Sequence, residues 1–355
     1  MTRIAAVHGA LAPHRRTQCE ITDMVARVCL PGGTDRRVLD RLHRGTKVRS
    51  RYMTLPLEQY AELEGFGAAN DIFVAAATDL GAKAVRDALH TAGLYAADVD
   101  LLIFTSVTGI AIPSIDARLV GRLGLRPDVK RLPLFGLGCA GGASGLARMH
   151  DYLLGRPDQV AVLLSVELCS LTFQRNDASM ANLVATGLFG DGAAAVVAYG
   201  ANRPCRPDET AGPVIVDTRS HLYPDTGQVI GWNISDSGFQ IVLDPQVPDV
   251  VRHYLADDVE GFLDDHGLKP KDVSAWVCHP GGPKVLQAVT EALDLPEEAL
   301  DVTWRHLADV GNLSSSSVLH VLRDTLAERR PPPGTPGVLL AMGPGFACEL
   351  VLLRW

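Results

Sequence analysis

The chain repeats itself, and that repeat limits the folds open to it more than any other feature. The segment DVDLLIFT from Asp98 returns as DVSAWVCH from Asp272, 174 positions later. GCAGGASGLARMHDYL from Gly138 matches GNLSSSSVLHVLRDTL from Gly311 at an offset of 173, and VLLSV from Val162 matches VLLAM from Val338 at 176. Three matches in one order at nearly one offset describe two copies of a strand, loop, helix, strand unit, each about half of the 355 residues. The run ANRPCRPDETAGP breaks all periodicity with proline and charge, so the chain divides into residues 1–205 and 206–355. Short apolar runs alternate with Ala- and Leu-rich helical patterns, which gives an α/β class. Strands apolar on both faces read as the buried parallel type. Two such sheets, stacked, form a layered sandwich.

Composition narrows the function. With 33 basic against 41 acidic residues and a net charge of -8, the surface does not suit a polyanion, which excludes nucleic acid as a partner. The N-terminal apolar stretch is interrupted by His8 and followed by Arg15 and Arg16, unlike a secretory core, and no apolar run reaches the roughly 18 residues of a membrane span. The seven cysteines are odd in number and hold no C-x-x-C pair, so neither a disulfide framework nor a zinc site is expected, and a reducing cytoplasm fits. No glycine-rich nucleotide fingerprint of either common type occurs. No metal and no redox cofactor are expected.

Three polar positions stand where loops follow strands. Cys139 lies between an apolar strand and a helix opened by small residues, where N–H groups and the helix dipole would favour a thiolate and could hold an oxyanion. Read alone, it fits a buried core cysteine equally well. His279 ends a buried strand and meets a Gly/Pro loop, where packing gives no reason for histidine. Asn312 occupies the repeat position equivalent to Cys139, and in isolation is a helix cap. In a duplicated fold these loops converge around one pseudo-twofold axis. A cysteine, a histidine and an asparagine together suit acyl transfer: the thiolate takes an acyl group from a thioester, and the other two donate to the carbonyl oxygen of a second thioester as its enolate forms.

The segments GCAGG around Cys139, LFGDGAAAVV from Leu188, HPGGPKVL from His279, GNLSSSSVL from Gly311 and MGPGF from Met342 resemble the chalcone synthase family, the type III polyketide synthases of the thiolase superfamily. The resemblance covers nearly the whole chain. It implies an αβαβα sandwich, a homodimer, acyl-CoA and malonyl-CoA substrates, and no acyl carrier protein. It makes Cys139 the nucleophile, His279 and Asn312 the decarboxylation pair, and Phe189 a gate between the CoA tunnel and the cavity. The second gate falls on Ile241 by gapless matching, or on Phe239 with a gap; Ile241 is preferred. Around the cavity, Val107 and Cys169 replace residues that are usually threonine, Thr172 and Ser314 keep the plant-like residue, and Trp232 replaces glycine. Ile112 is expected to reach across a dimer. CoA contacts are expected from Arg41, Arg44, Gly281 and Lys284, with Gly45 where the family has a lysine.

The chain is most similar to bacterial members that make alkylresorcinols and alkylpyrones. Its less polar cavity implies a fatty acyl starter, extended by malonyl-CoA or a substituted malonyl-CoA, and Trp232 favours a resorcinol over a pyrone. Two other readings share parts of the pattern: a ketoacyl synthase of fatty-acid initiation, and a non-catalytic ketosynthase-like subunit, which would not need all three polar residues.

Overall fold

The computed structural model describes residues 1–30, 36–175, 177–203 and 212–355. The boundary at 205/206, and Cys205 with it, lies outside the described residues. In chain order the first half carries β1 (Thr2–Leu11), β2 (His14–Thr17), α1 (Gln18–Cys29), α2 (Arg36–Gly45), β3 (Ser50–Met53), α3 (Gly65–Thr91), β4 (Leu101–Thr105), α4 (Ile115–Leu123) and β5 (Lys130–Leu134). It continues with α5 (Gly141–Gly155), β6 (Val160–Leu168), α6 (Met180–Leu188) and β7 (Asp191–Gly200). The second half carries β8 (Val214–Leu222), β9 (Ile230–Ser235), β10 (Gly238–Leu243), α7 (Val247–Asp264), β11 (Ala275–Cys278), α8 (Pro283–Ala292), α9 (Asp301–Val310), α10 (Ser317–Glu328), β12 (Pro336–Gly343) and β13 (Ala347–Arg354).

The duplication predicted from the sequence is visible in strand order. One half runs β5-β4-β6-β7-β1 and the other β11-β12-β13-β8, with β4 matching β11, β6 matching β12 and α5 matching α10. The edge strand β5 has no strand counterpart: the residues 174 positions on, 304–308, lie in α9. Two sheets were expected, but the halves form one continuous nine-stranded sheet, joined among the described residues through two residue pairs, Thr2 with Ile215 and Arg3 with Val214. Nor are the strands uniformly parallel. β4 runs parallel to β5 and β6, and β11 to β12, whereas β7, β1, β8 and β13 pair antiparallel. The cause is burial. Every residue of β7 is buried, so an antiparallel strand covered on both faces shows the same apolar run as a parallel one.

Helices and half-sheets alternate through the molecule. On one outer side, Phe73, Ala77 and Val85 of α3 pack on Leu102, Phe104 and Leu164. In the middle, Ala143 and Leu146 of α5 meet Val318 and Leu322 of α10 between Leu163 and Leu339 of the two half-sheets. On the far side, Val251, Leu255 and Val289 of α7 and α8 cover Val338, Leu340 and Leu350. The central contact explains the glycines that open α5: a Cβ at Gly142 would stand 2.2 Å from the carbonyl oxygen of Ser315, and one at Gly145 2.5 Å from Leu163. The beginnings of α5 and α10 are thereby pressed together, which is the closure that positions the site. Among the described residues, no helix is long and apolar enough to cross a membrane.

Candidate active site

Cys139 lies in a single 3₁₀ turn, Gly138–Ala140, just ahead of α5. Gly138 has φ +51, and a Cβ there would fall 2.3 Å from Pro344, so only glycine fits the turn. A second 3₁₀ turn, Ser314–Ser316, lies just ahead of α10. The two turns touch: the buried Cys139 Sγ donates to Ser314 Oγ at 3.7 Å. Asn312 is fixed on three sides. Its N–H donates to Leu188 O and its carbonyl accepts from Gly190 N, both at 2.9 Å, while Oδ1 accepts from Ser314 N at 2.7 Å. The backbone of Asn312 is thus stitched to the strand-like segment around Phe189.

His279 follows β11, and its N–H donates to Leu340 O of β12 at 2.9 Å. The end of β12 reaches the cysteine turn, because Gly343 stands within 2.7 Å of Ala140 N when given a Cβ. His279 is buried, and neither ring nitrogen has a hydrogen-bond partner. A buried polar atom left unpaired costs on the order of 1–3 kcal/mol, so two on one ring point to a ligand.

Burial governs the charges. It pushes the Cys139 thiol up to about 12, against the pull of the Ser314 hydroxyl and the Asn312 amide and with the push of Glu167. It pulls His279 down to about 3. The free thiolate expected from a helix end is therefore overridden by desolvation, which outweighs the dipole when the sulfur is covered. A sulfur so covered ionises at small cost only beside an opposite charge, as an ion pair.

A cavity of about 40 Å³ opens on Cys139. Val107, Cys169, Thr172, Phe189, Trp232, Ile241 and Ser314 line it, so seven of the eight residues proposed from the sequence to touch substrate share one space. Trp232 and Ile241 face each other as a direct pair across the β9–β10 hairpin. Phe239, the other option for the second gate, is outside the walls and packs edge-on against Phe66 and at a tilt against Trp232. His279 and Asn312 are not cavity walls either. Ile112 stands away from the cavity, 92% exposed on the loop before α4. Arg41 and Arg44 lie on the outer face of α2, where Arg44 Nε donates to the carbonyl of Asp40 at 3.1 Å. Lys284 is exposed in the first turn of α8, and a Cβ on Gly281 would lie 3.6 Å from His279 Cδ2.

Sequence reasoning missed two buried carboxyls. Glu167, inside β6, accepts from Val107 N (3.1 Å), Thr108 Oγ1 (2.9 Å), Ser106 Oγ (3.3 Å) and the Ser315 hydroxyl, and burial raises it to about 7. Its signal was available: a lone carboxylate in the otherwise uncharged strand VAVLLSVEL. Asp191 accepts from Thr54 N (2.7 Å), Thr54 Oγ1 (2.6 Å), Ser170 N (2.8 Å) and the Ser170 hydroxyl. Beside it, the wholly buried Arg51 donates to Phe189 O at 2.6 Å and to Gln18 Oε1 at 3.0 Å, which fixes the backbone that carries Phe189.

Family models agree with this architecture over both halves. Residues 2–202 match the model for chalcone and stilbene synthases, N-terminal domain, and residues 215–355 match the C-terminal domain. The chain is 59% identical over 354 residues to a 1,3,6,8-tetrahydroxynaphthalene synthase of Streptomyces peucetius subsp. caesius, covering 100% of this chain and 93% of that one. It is 37% identical to a putative chalcone synthase of Bacillus subtilis, covering 90% and 89% respectively. Among solved structures, the 1,3,6,8-tetrahydroxynaphthalene synthase of Streptomyces coelicolor A3(2), described as a bacterial type III polyketide synthase, superposes with a TM-score of 0.92 at 29% identity over 99% of both chains. With both family models matched in order and a relative of this identity along its whole length, the chain belongs to the chalcone and stilbene synthase family, the type III polyketide synthases.

Proposed function

We propose that Cys139 takes an acyl group from a CoA thioester and that His279 and Asn312 stabilise the enolate of a malonyl-CoA extender. The observation that carries this is the buried His279 ring with both nitrogens unpaired, at the end of a strand tied to β12, whose far end reaches the cysteine turn. Proton transfer from Cys139 to His279 gives the attacking thiolate. After CoA leaves, the donors at His279 and Asn312 hold the malonyl carbonyl oxygen, where negative charge develops as CO2 departs. The enolate then attacks the acyl carbon and releases the extended chain from Cys139. No cofactor and no carrier protein enter these steps. Arg41, Arg44, Gly281 and Lys284 serve the CoA moiety in this reading, and Phe189 with Ile241 gates the cavity. The exposed Ile112 packs into a second copy of the chain in a homodimer.

For the product, we favour a short, fully malonate-derived chain closed by carbon-carbon bonds. The Streptomyces peucetius relative is named for a naphthalene whose ten ring carbons and missing alkyl tail fit five two-carbon units. The bulky Trp232, paired with Ile241 in the cavity wall of this chain, supports a compact product of the same kind. A fatty acyl starter leading to an alkylresorcinol or alkylpyrone is the second reading, supported by the apolar walls at Ile241, Val107 and Cys169. Incubation with malonyl-CoA alone and with a series of acyl-CoAs, followed by mass spectrometry, separates them. An aromatic product from malonyl-CoA alone supports the first; products that grow with the supplied acyl chain, and none without it, support the second. Turnover only with carrier-bound malonate overturns both in favour of a ketoacyl synthase.

A further inference from the structure

Each round of the chemistry proposed above consumes one proton. In loading, the Cys139 Sγ–carbon bond forms, the thioester bond of acyl-CoA breaks, and CoA leaves as a thiolate that takes a proton from His279. In extension, the malonyl carbon-carbon bond breaks, CO2 leaves, the enolate bonds to the acyl carbon, and Cys139 is released as a thiolate. Summed, acyl-CoA, malonyl-CoA and one proton give extended acyl-CoA, CO2 and CoA thiol. His279 must therefore be reprotonated once per round, and it is buried.

The structure puts a second bare imidazole behind it. α9 rests on the end of β11, where Thr303 Oγ1 donates to the carbonyl of Cys278 at 3.1 Å. One turn on, at i+3 on the same face, is His306. Its side chain is wholly buried and neither ring nitrogen has a hydrogen-bond partner. Its Nδ1 stands 4.0 Å from Asp324 Oδ2, and Asp324 is 18% exposed. Arg323 grips that carboxylate at 2.6 and 2.8 Å. On the other side His320 approaches ring to ring at 5.5 Å, with Nε2 committed to the carbonyl of Ala193 at 2.9 Å. The titratable groups around His306 are thus His279, at the end of the strand on which α9 rests, and His320, Arg323 and Asp324 of α10, with the charge of His8 of β1 felt at His320.

We propose that His306, with Asp324 at its outer end, is the relay that returns a proton from solvent to His279. Two unpaired nitrogens are costly in a merely structural histidine, and they are what a relay needs: one to receive, one to give. The 4.0 Å gap is closed by a tilt of the ring or by one water. Burial also holds His306 down at about 3, so it passes a proton on without storing it. His306 touches no substrate and acts through His279.

This inference rests on Cys139 and His279 doing the chemistry proposed above, and that reading is checked separately by the acyl adduct and malonyl-CoA consumption of the wild-type enzyme. The test compares wild type with His306→Gln and Asp324→Asn. Two readouts are taken: single-turnover acylation of Cys139 by mass spectrometry, and steady-state extension from about pH 6 to pH 9. Both variants should load at the wild-type rate. Extension should fall at least about tenfold at the alkaline end, with the deficit shrinking as pH falls and on adding imidazole as a diffusible proton donor. A loss from packing alone would lower loading as well and would respond to neither. Wild-type extension at every pH in either variant, or a loss that is constant with pH and not relieved by imidazole, overturns the relay. If His306→Gln does not fold, Asp324→Asn alone carries the test.

Discussion

Burial pushes the Cys139 thiol up to about 12 and pulls His279 down to about 3, so each favours its neutral form, and in the proposed mechanism the pair becomes reactive by moving one proton between them. Asn312 has no part in that transfer. Asn312→Ala should therefore keep acyl loading within a few-fold while losing extension by about 10²-fold or more, as measured by adduct formation against CO2 release. Glu167 gives a prediction of a different kind. Its carboxyl is raised from 4.5 in the unfolded chain to about 7 in the fold, so the unfolded chain releases its proton first and stability falls as pH rises from about 4.5 to about 7. The size is roughly 3 kcal/mol for a fully buried group. The buried histidines act oppositely, losing stability as pH falls below 6.5, but they are common to both proteins in a comparison. Melting temperatures of Glu167→Gln and wild type across this range should diverge in slope, and parallel curves would show that Glu167 does not titrate there. At this scale the sequence marked Cys139, His279 and Asn312 as candidates because a polar residue interrupts a repeat at each. It was not legible for Arg51 and Asp191, because their meaning lies in partners 138 and 137 residues away, at Phe189 and Thr54.

Elements were legible in type and order wherever the two copies could be laid on each other. β5 and α9 could not be, since one copy holds an edge strand where the other has a helix, and that difference shows only when the edge is assembled. Antiparallel pairing of β7 was hidden for the reason given above: uniform burial erases direction. Two elements carry tests. The start of α5 is pressed onto the turn before α10, so Gly142→Ala should cost about 1–3 kcal/mol, read as a lower denaturant midpoint with an unchanged slope. An unchanged midpoint would mean that the contact yields freely. The β9–β10 hairpin sets the cavity roof through Trp232 and Ile241. Trp232→Gly should admit bulkier acyl-CoAs and shift the ratio of carbon-carbon-closed to lactone products toward lactones at matched turnover, with loading of Cys139 intact. An unchanged product ratio would reduce the indole to filler.

The whole molecule is two copies of one unit sharing a central layer, with Cys139 in the first copy and His279 and Asn312 in the second. Neither half holds all three residues, so the chemistry proposed for them depends on the join. The same logic extends to a partner chain in the proposed dimer. Ile112→Asp, at a site 92% exposed, should leave the monomer fold unchanged and raise the dimer dissociation constant in sedimentation experiments; an unaltered dimer would remove Ile112 from that interface. The most direct test of the central claim is peptide mass spectrometry of the enzyme after exposure to an acyl-CoA that it accepts, before and after malonyl-CoA is added. The acyl mass should appear on the peptide bearing Cys139, disappear with CO2 release when malonyl-CoA arrives, and be absent from Cys139→Ala. An adduct on another residue, or product formed by Cys139→Ala, would contradict it.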